Sequence, residues 1–290
     1  MMDFGIVGLG AMGGAMARCL VRAGYTVCGI DPEEAAVTRA KATGIVITKD
    51  LCELSQSAQT VVTCLPTPDA VVATFEMFNQ TTPPQGQIVI DTSTVSPQIA
   101  MLAGSISTNS GRRHLEASMI GLPAVAEVGN LFLFLGGDVK TVTECAPFLD
   151  TVARGHVHLG GVGAAAKAKV LNNAIGNANM LVFTEAIVAA EQLGLDPDFF
   201  VEAVCNADGA GMSKVFARHA HWATGSGQPQ PSTPINLKDM KMLTEMLGDL
   251  RKQTAILGQA AQICENLDTQ AGMVRAYSDN LRNKARGGWN

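Results

Sequence analysis

Two polar side chains near the middle of the chain have the types and the spacing that proton transfer requires. Lys169 and Asn173 are four residues apart in a long stretch without proline, so a helix there places both on one face, with Asn172 beside them. A lysine can exchange a proton near pH 7 if desolvation or a nearby cation lowers its pKa from about 10.4 toward neutrality. An asparagine can hold a hydroxyl group or the lysine without adding charge. On residue type alone a helical lysine is more often a solvated surface residue, and Lys167 is expected to be one.

A glycine-rich loop near the start of the chain has the spacing that binds phosphate groups. Its three glycines follow a predicted strand directly and open a predicted helix. The first glycine permits a tight turn, the second lets the backbone approach a pyrophosphate, and the third lets helix and strand pack closely. The helix N-terminus offers free N–H groups and a positive dipole to the phosphates. The residues expected to contact a dinucleotide here are Gly8, Leu9, Gly10, Ala11, Met12 and Gly13.

An acidic residue at the end of the second predicted strand indicates which dinucleotide is bound. Asp31 stands 18 residues beyond Gly13, where a carboxylate accepts hydrogen bonds from the adenine ribose and repels a 2′-phosphate. Pro32, Glu33 and Glu34 follow it, with no nearby arginine to neutralise a phosphate. We therefore expect NAD to be preferred over NADP. A helix-capping role for Asp31 is compatible with this one.

Two further loops follow predicted strands and should reach the same crevice. They are residues 64–68 (Cys-Leu-Pro-Thr-Pro) and residues 91–94 (Asp-Thr-Ser-Thr). The backbone at Leu65 and Pro66 can line a ribose, and the Thr94 hydroxyl can reach the nicotinamide side. Simple turns explain both loops equally well from the sequence alone.

The order of the predicted elements indicates an α/β fold with a Rossmann-type doubly wound sheet. Apolar runs alternate with helical patterns, which is typical of a parallel sheet covered on both faces. The predicted strands are 4–9, 26–30, 45–48, 60–65, 87–91, 114–119, 131–136 and 156–159. The predicted helices are 11–23, 33–42 and one between 139 and 152. Gly24 and Gly44 stand where left-handed helix caps are expected.

After Gly163 the pattern becomes entirely helical. A long helix is predicted from 164 to about 193, ended by Gly194, and Asp196 and Pro197 begin the next one. The predicted helices after the long one are 197–206, 212–223, 236–266 and 268–284, and the loop 224–234 acts either as a lid or as a simple connection. We therefore expect a dinucleotide-binding domain at 1–160 and an all-helical substrate and oligomerisation domain at 161–290.

Composition argues against several classes of function. The 290 residues are 47% hydrophobic and 16% charged with a net charge of −5, so bulk attraction to nucleic acid or to an anionic membrane is not expected. No apolar run approaches the ~20 residues of a membrane-spanning helix, and the start of the chain lacks a secretory signal pattern. Seven cysteines without CxxC pairing indicate reduced thiols in a cytoplasmic protein. His156 and His158 share a strand face without a third ligand, so no metal is expected.

Several of these motifs occur in the order of a known family. The chain resembles the β-hydroxyacid dehydrogenases, to which 3-hydroxyisobutyrate dehydrogenase and tartronate semialdehyde reductase belong. The resemblance lies in residues 8–13, 64–66, 91–94, 160–163, 169–173 and 238–239, and runs over essentially the whole chain. It implies that Lys169 is the general acid/base, that Asn173 is its companion, and that Lys238 and Thr94 lie near the nicotinamide. It also implies a homodimer or homotetramer built through the helical domain.

The family's substrate-binding stretch, usually Asp-Ala-Pro-Val-Ser-Gly-Gly, is altered to Glu-Ala-Ser-Met-Ile-Gly-Leu at residues 116–122. The expected substrate contacts are Ser118, Ile120, Gly121, Leu122 and, on the long helix, Asn172. Ile120 replaces a hydroxyl that would bond a substrate carboxylate, and an unpaired buried polar group costs ~1–3 kcal/mol. Either the backbone around Gly121 holds the acid group, or the substrate differs from the usual short hydroxy acid. Two other departures are Ala165 in place of a glycine and Pro231 in place of an aromatic residue.

The leading hypothesis is reversible NAD-linked oxidation of a small 3-hydroxy acid to its semialdehyde or keto form. An enzyme that reduces imines or apolar carbonyl groups is an alternative, favoured by Ile120 and Leu122 but opposed by Lys169 and by the expected NAD preference. A catalytically silent NAD-binding protein is a third hypothesis, against which the Lys169/Asn173 pair argues.

Overall fold

The computed structural model describes residues 1–206, 234–267 and 273–286. The chain divides into two compact units, Met1–Lys169 and Val170–Asn290. The domain boundary predicted at residue 160 remains a proposal. The predicted helix at 212–223 and almost all of the loop at 224–234 lie outside the described residues.

The first unit is built on an eight-stranded sheet. Its strands are β1 (Met2–Val7), β2 (Val27–Ile30), β3 (Val46–Ile47), β4 (Ala58–Thr63), β5 (Ile88–Asp91), β6 (Arg113–Ile120), β7 (Leu131–Gly137) and β8 (Ala153–His158). Each of these strands overlaps a predicted strand, so all eight predictions are confirmed. The strand order in the sheet is β3-β2-β1-β4-β5-β6-β7-β8. Neighbouring strands are parallel except β6 and β7, which are antiparallel. Residues 121–130 connect β6 to β7. This segment is shorter than the dozen or more residues that a crossover between parallel strands needs, so these two strands pair antiparallel.

Helices cover both faces of this sheet, which is the doubly wound arrangement. They are α1 (Ala11–Arg22), α2 (Glu34–Lys41), α3 (Leu51–Ser57), α4 (Pro68–Asn79), α5 (Pro97–Asn109), α6 (Pro123–Glu127), α7 (Val139–Glu144) and α8 (Ala146–Val152). Met16 and Phe148 belong to the apolar core on one face, and Leu54 and Phe75 belong to the core on the other. The single helix predicted between 139 and 152 is two helices, because Pro147 lacks an N–H and starts a new first turn.

Glycines end the first two helices as the sequence predicts. Gly24 has φ +92° and Gly44 has φ +86°, a backbone conformation that is strained for residues with a side chain. Each lies just beyond its helix and lets the chain turn into the following strand.

The second unit is helical. Helix α9 (Ala164–Gln192) runs across the boundary between the units, and α10 (Pro197–Asn206), α11 (Pro234–Leu247), a 3₁₀ helix (Gly248–Lys252), α12 (Ala255–Glu265) and α13 (Met273–Arg286) follow. A stripe on α9 that includes Val170, Ala174 and Leu181 belongs to one apolar core with Leu243 and Cys264.

The helix predicted over 236–266 is broken, because Gly248 has φ +46° and begins the 3₁₀ turn. Each helix in the described ranges is too short or too polar to cross a membrane.

His114 is a buried titratable group on β6, and its surroundings keep it neutral. The Nδ1 atom lies 3.2 Å from the Ser107 hydroxyl, and the ring packs on Phe75 with 5.6 Å between centroids. The Nε2 atom is buried without a hydrogen-bond partner. Burial lowers the pKa of His114 to about 4, because the charged ring would lose its hydration.

We predict that His114 makes folding less favourable as the pH falls. An unfolded histidine titrates near pH 6.5, so between pH 6.5 and about 4 the unfolded chain binds more protons than the folded chain. The contribution of neutral His114 to the free energy of unfolding is fully present above pH 6.5. Below pH 6.5 this contribution declines by up to ~1.4 kcal/mol per pH unit. Burial raises the pKa of Asp91 and of Glu116, and this makes folding more favourable as the pH falls. The effect of His114 must therefore be measured by comparing the parent with a variant of His114.

The measurement is urea unfolding of the parent and of His114→Gln at pH 7.5 and pH 5. We expect the stability difference between the two proteins to be about 1–2 kcal/mol smaller at pH 5. An unchanged difference would show that His114 titrates alike in the folded and unfolded chains.

Candidate active site

The glycine-rich loop joins β1 to α1 at the carboxyl edge of the sheet, and steric limits fix its shape. Gly8 has φ +95°, and a side chain there would overlap the carbonyl oxygen of Cys64. A Cβ on Gly13 would overlap the carbonyl oxygen of Gly8, so only glycine lets α1 pack this closely. Gly10 differs, since a Cβ added there meets nothing within 4 Å. The loop is therefore closely packed on the sheet side and open beside Gly10.

The open side of the loop coincides with the N-terminus of α1. Gly10 is the N-cap and has no side chain to bond the first N–H groups of the helix. Leu9 is buried, Met12 is half-buried and Ala11 is exposed. Free N–H groups and the positive end of the helix dipole attract anions, so this cradle fits the pyrophosphate of a dinucleotide.

Asp31 follows β2 and is tied to the same loop. Its Oδ2 accepts a hydrogen bond from the Leu9 N–H at 2.6 Å, and its Oδ1 accepts one from the Glu33 N–H at 2.8 Å. The second bond closes a turn just before α2, whose N-cap is Glu33 and has no side-chain cap, so the helix-capping role suggested for Asp31 is wrong. A carboxylate offers about four acceptor positions, so Asp31 can still accept hydrogen bonds from ribose hydroxyls.

The strand order brings the other predicted cofactor residues to this edge. β1 lies between β2 and β4, and a crevice opens outside the carboxyl ends of the strands where the winding of such a sheet reverses. Leu65 and Pro66 follow β4, and Thr94 follows β5. Leu65 and Thr94 are half-buried and Pro66 is exposed.

A buried acid that the sequence analysis did not single out holds these loops in place. Asp91 ends β5, and its Oδ1 accepts hydrogen bonds from the Thr63 hydroxyl at 2.8 Å and from the Ser93 N–H at 3.0 Å. The Ser93 hydroxyl in turn accepts a bond from the Leu65 N–H at 3.0 Å. Burial raises the pKa of Asp91. In the sequence, the feature that could have indicated this role is an acidic residue at the end of an otherwise apolar strand.

Lys169 and Asn173 lie one turn apart on α9, and both are half-buried. Lys167 is exposed, in agreement with its expected surface role. Asn172 is also exposed, and its Nδ2 donates to the Asn173 Oδ1 at 3.2 Å. Helix geometry therefore places Lys169 and Asn173 on one face, with Asn172 at its border.

Within the helical unit an aspartate fixes the orientation of the Asn173 amide. The Nδ2 of Asn173 donates to the Oδ2 of Asp239 at 2.7 Å, and Asp239 is only 4% exposed. This contact directs the amino group of Asn173 toward α11 and leaves its carbonyl oxygen on the other side. The neighbouring Lys238 is half-buried, and desolvation lowers its pKa. The negative charge of Asp239 raises the pKa of Lys238, but by less than desolvation lowers it.

Residues 116–122, which the sequence predicts to contact the substrate, form the second half of β6 and the two residues after it. Side chains alternate along a strand, so Glu116, Ser118 and Ile120 project from the same face. Ser118 is buried and Ile120 is half-buried. Gly121 has φ +145°, and Leu122, where the family has glycine, is 63% exposed. The end of β6 therefore presents the apolar side chains Ile120 and Leu122, neither of which can donate a hydrogen bond.

Two family models together span most of the chain. Residues 3–161 match the NAD binding domain of 6-phosphogluconate dehydrogenase. Residues 163–282 match the NAD-binding domain of NADP-dependent 3-hydroxyisobutyrate dehydrogenase.

Individual proteins agree with these models. A probable 3-hydroxyisobutyrate dehydrogenase of Mycobacterium tuberculosis is 30% identical over 236 residues, which cover 81% of this chain and 78% of the relative. An NAD-dependent L-serine dehydrogenase of Pseudomonas aeruginosa is 28% identical, with 81% and 76% covered. The solved structure of the Mycobacterium tuberculosis 3-hydroxyisobutyrate dehydrogenase with L-serine matches with a TM-score of 0.81 and 26% identity, covering 97% of this chain and 99% of that one. The chain therefore belongs to the β-hydroxyacid dehydrogenase family and is an oxidoreductase of the NAD(P)-dependent, 3-hydroxyisobutyrate dehydrogenase-like type.

Proposed function

We propose that this protein catalyses the reversible NAD-linked oxidation of a small 3-hydroxy acid to its semialdehyde or keto form, with Lys169 as the general acid/base. Family membership supports hydroxy-acid chemistry. The observation that supports the lysine assignment is its position one helical turn before Asn173, whose amide is held by the buried Asp239.

The proposed chemistry divides between the dinucleotide and the side chains of α9. When bound, the nicotinamide supplies the hydride acceptor. Lys169 in its neutral form takes the hydroxyl proton as the alcohol is oxidised, and in its protonated form returns the proton to the carbonyl oxygen during reduction. The carbonyl oxygen of Asn173, turned away from Asp239, accepts a hydrogen bond from the substrate hydroxyl or from the lysine.

The substrate stretch supports a substrate with an apolar substituent. Ile120 cannot donate a hydrogen bond, so we propose that the backbone around Gly121 holds the acid group. A second hydroxyl buried against the half-buried Ile120 would lose hydrogen bonds to water, which costs about 1–3 kcal/mol. Ser118, the nearest hydroxyl on this stretch, is itself buried at 2% exposure. We therefore expect 3-hydroxyisobutyrate to be a better substrate than glycerate or threonate.

Reduction of imines or of apolar carbonyl groups is the second candidate, and the 63% exposure of Leu122 is the observation that favours it. The presence of Lys169 favours the hydroxy acid. A catalytically silent NAD-binding protein would show no turnover with either class of substrate.

We also propose a homodimer or homotetramer formed through the helical unit, and a cytoplasmic location. Large apolar side chains of that unit are exposed, among them Ile175, Val182 and Phe199 at 56%, 60% and 72%. All seven cysteines are free thiols, as is usual in a reducing compartment. Sedimentation of the purified protein distinguishes the two assemblies.

Replacing Lys169 should remove turnover while leaving the dinucleotide site intact. We expect Lys169→Ala to lower kcat by about 10²–10⁴, because general acid/base catalysis contributes that much. The affinity for NADH should change by less than about twofold. The assay is NAD reduction with 3-hydroxyisobutyrate, L-serine, glycerate and threonate, and the binding measurement is NADH fluorescence titration.

Lys167→Ala is the matched control, because Lys167 is an exposed lysine on the same helix. It should retain activity within about twofold, since surface substitutions rarely matter. Full activity of Lys169→Ala would remove the lysine from the mechanism.

Two glycines of the first loop should respond differently to alanine. Gly13→Ala forces a methyl group onto the Gly8 carbonyl and should destabilise the fold by about 1–3 kcal/mol. Gly10→Ala meets no protein atom, so its melting temperature should be unchanged, while its affinity for NADH falls by at least about tenfold because the methyl group fills the phosphate cradle. Thermal unfolding and NADH titration measure the two effects. Unchanged NADH affinity in Gly10→Ala would place the pyrophosphate elsewhere.

Asp31 should set the preference between NAD and NADP. We expect Asp31→Asn to lower the ratio of kcat/KM for NAD to that for NADP by about tenfold or more, because a 2′-phosphate no longer meets a negative charge. Glu34→Gln removes an exposed acid three residues further on and should change the ratio by less than about twofold. Equal effects of the two substitutions would mean that general charge, not the Asp31 contact, discriminates.

A further inference from the structure

The N-terminus of α9 is capped by a side chain from another element. Gly163 is the N-cap residue, because its carbonyl oxygen accepts the first intrahelical bond, from the Lys167 N–H at 3.1 Å. Gly163 has no side chain with which to cap the helix. Instead the carboxylate of Glu116, on β6, accepts a hydrogen bond from the Gly163 N–H at 2.7 Å through Oε2 and one from the Ala166 N–H at 2.6 Å through Oε1.

These two bonds are the pair that a capping box makes with two side chains, here supplied by one carboxylate. Glu116 is 3% exposed, and hydrogen bonds to an ionised acceptor are shorter and stronger than neutral ones. The negative charge also meets the positive end of the helix dipole. With both oxygens engaged, the carboxylate fixes the first turn of α9 in rotation and along its axis.

Gly136 provides the space in which this carboxylate lies. It is directly opposite Glu116 in the antiparallel pairing of β6 and β7. A Cβ on Gly136 would overlap the Oε2 of Glu116 and would lie 2.9 Å from the carbonyl oxygen of Gly161. A methyl group at this position would therefore displace the carboxylate from the cap, and it would also press on the Gly161 carbonyl oxygen.

We propose that Glu116 is a positioning residue for Lys169. Ala166, which donates to Glu116, is three residues before Lys169 on α9, while Ser118 and Ile120 follow Glu116 on the same face of β6. One carboxylate thus links the strand that carries the substrate stretch to the turn that precedes the lysine. This inference depends on the proposed function through the role of Lys169.

A double-mutant cycle between Glu116 and Gly136 tests the proposal. In the parent, Gly136→Ala should lower kcat by about ten- to a hundredfold, because misplacement of a catalytic group by about 1 Å has effects of that size. In the Glu116→Ala background the same glycine substitution should lower kcat much less than in the parent, since only the contact with the Gly161 carbonyl oxygen remains. If Glu116→Ala does not fold, Glu116→Val serves instead, because valine has no atoms at the position of the carboxylate.

Three further readouts separate positioning from a purely structural role. The deuterium isotope effect on kcat should rise with a deuterated hydroxy acid, because the chemical step has slowed. The affinity for NADH should stay within about twofold of the parent. Hydrogen exchange of the amides in residues 163–169, measured by mass spectrometry, should be faster in each single variant. Gly155→Ala in β8 is the control, because its methyl group meets only the Phe132 ring, at 3.4 Å or more.

Two results would overturn the proposal. Equal losses of kcat from Gly136→Ala in both backgrounds would mean that the glycine acts independently of the carboxylate. Faster exchange with unchanged kcat would mean that Glu116 caps α9 without positioning Lys169. Failure of the proposed function would give a different result, because Lys169→Ala would then keep its turnover. Hydrogen exchange of residues 163–169 is measured without substrate, so it would still show whether Glu116 caps α9.

Discussion

Buried carboxylates must find hydrogen-bond donors, and this requirement organises the carboxyl edge of the sheet. An ionised group removed from water without partners costs several kcal/mol, so its surroundings must supply N–H or O–H groups. Asp91 and Glu116 are register partners in the pairing of β5 and β6. Asp91 takes donors from the end of β4 and from its own following loop, whereas Glu116 takes donors from the start of α9. The two acids therefore hold the loops and the helix turn that carry most of the candidate site in the first unit.

Two like charges on neighbouring strands also repel each other, and their donors lie in different directions. The Thr63 hydroxyl that bonds Asp91 is on the β4 side, while the space that receives the Glu116 carboxylate is at Gly136, on the β7 side. Burial is the main cause that raises the pKa of Glu116, and Asp91 adds to it, while the N–H groups of Gly163 and Ala166 oppose it. Hydrogen bonding thus offsets part of the cost of placing two acids side by side, and each acid has its own set of contacts.

Much of the fold could be predicted because its signals are local. Most strands of the sheet are buried runs of apolar residues, which is a local signal. The edge strands β3 and β8 are largely exposed, but their predicted positions also overlap the observed ones. The two helices that were predicted as single contain their own breaks, at Pro147 and Gly248, which the periodicity alone did not weigh. The cap on α9 joins residues 47 and 50 positions apart, and the bond between Asn173 and Asp239 joins residues 66 positions apart. Such pairs depend on tertiary packing, so residue types and spacing indicated Lys169 and Asn173 but not the groups that hold them.

The last residues of β6 show how the substrate stretch can depart from the family while the proposed chemistry is kept. Glu116 accepts hydrogen bonds from two backbone N–H groups, pairs in register with Asp91 and lies in the space left by Gly136. Replacing Glu116 would therefore leave these neighbours without their contacts unless a second residue changed as well. Leu122 is 63% exposed, and replacing such a residue costs little packing energy. If Ile120 and Leu122 contact the substrate as proposed, substitutions there would change the preferred substrate without moving the helix turn that precedes Lys169. In the proposed assignment, the exposed end of β6 sets substrate preference, whereas the buried Glu116 on the same strand holds the helix turn before Lys169.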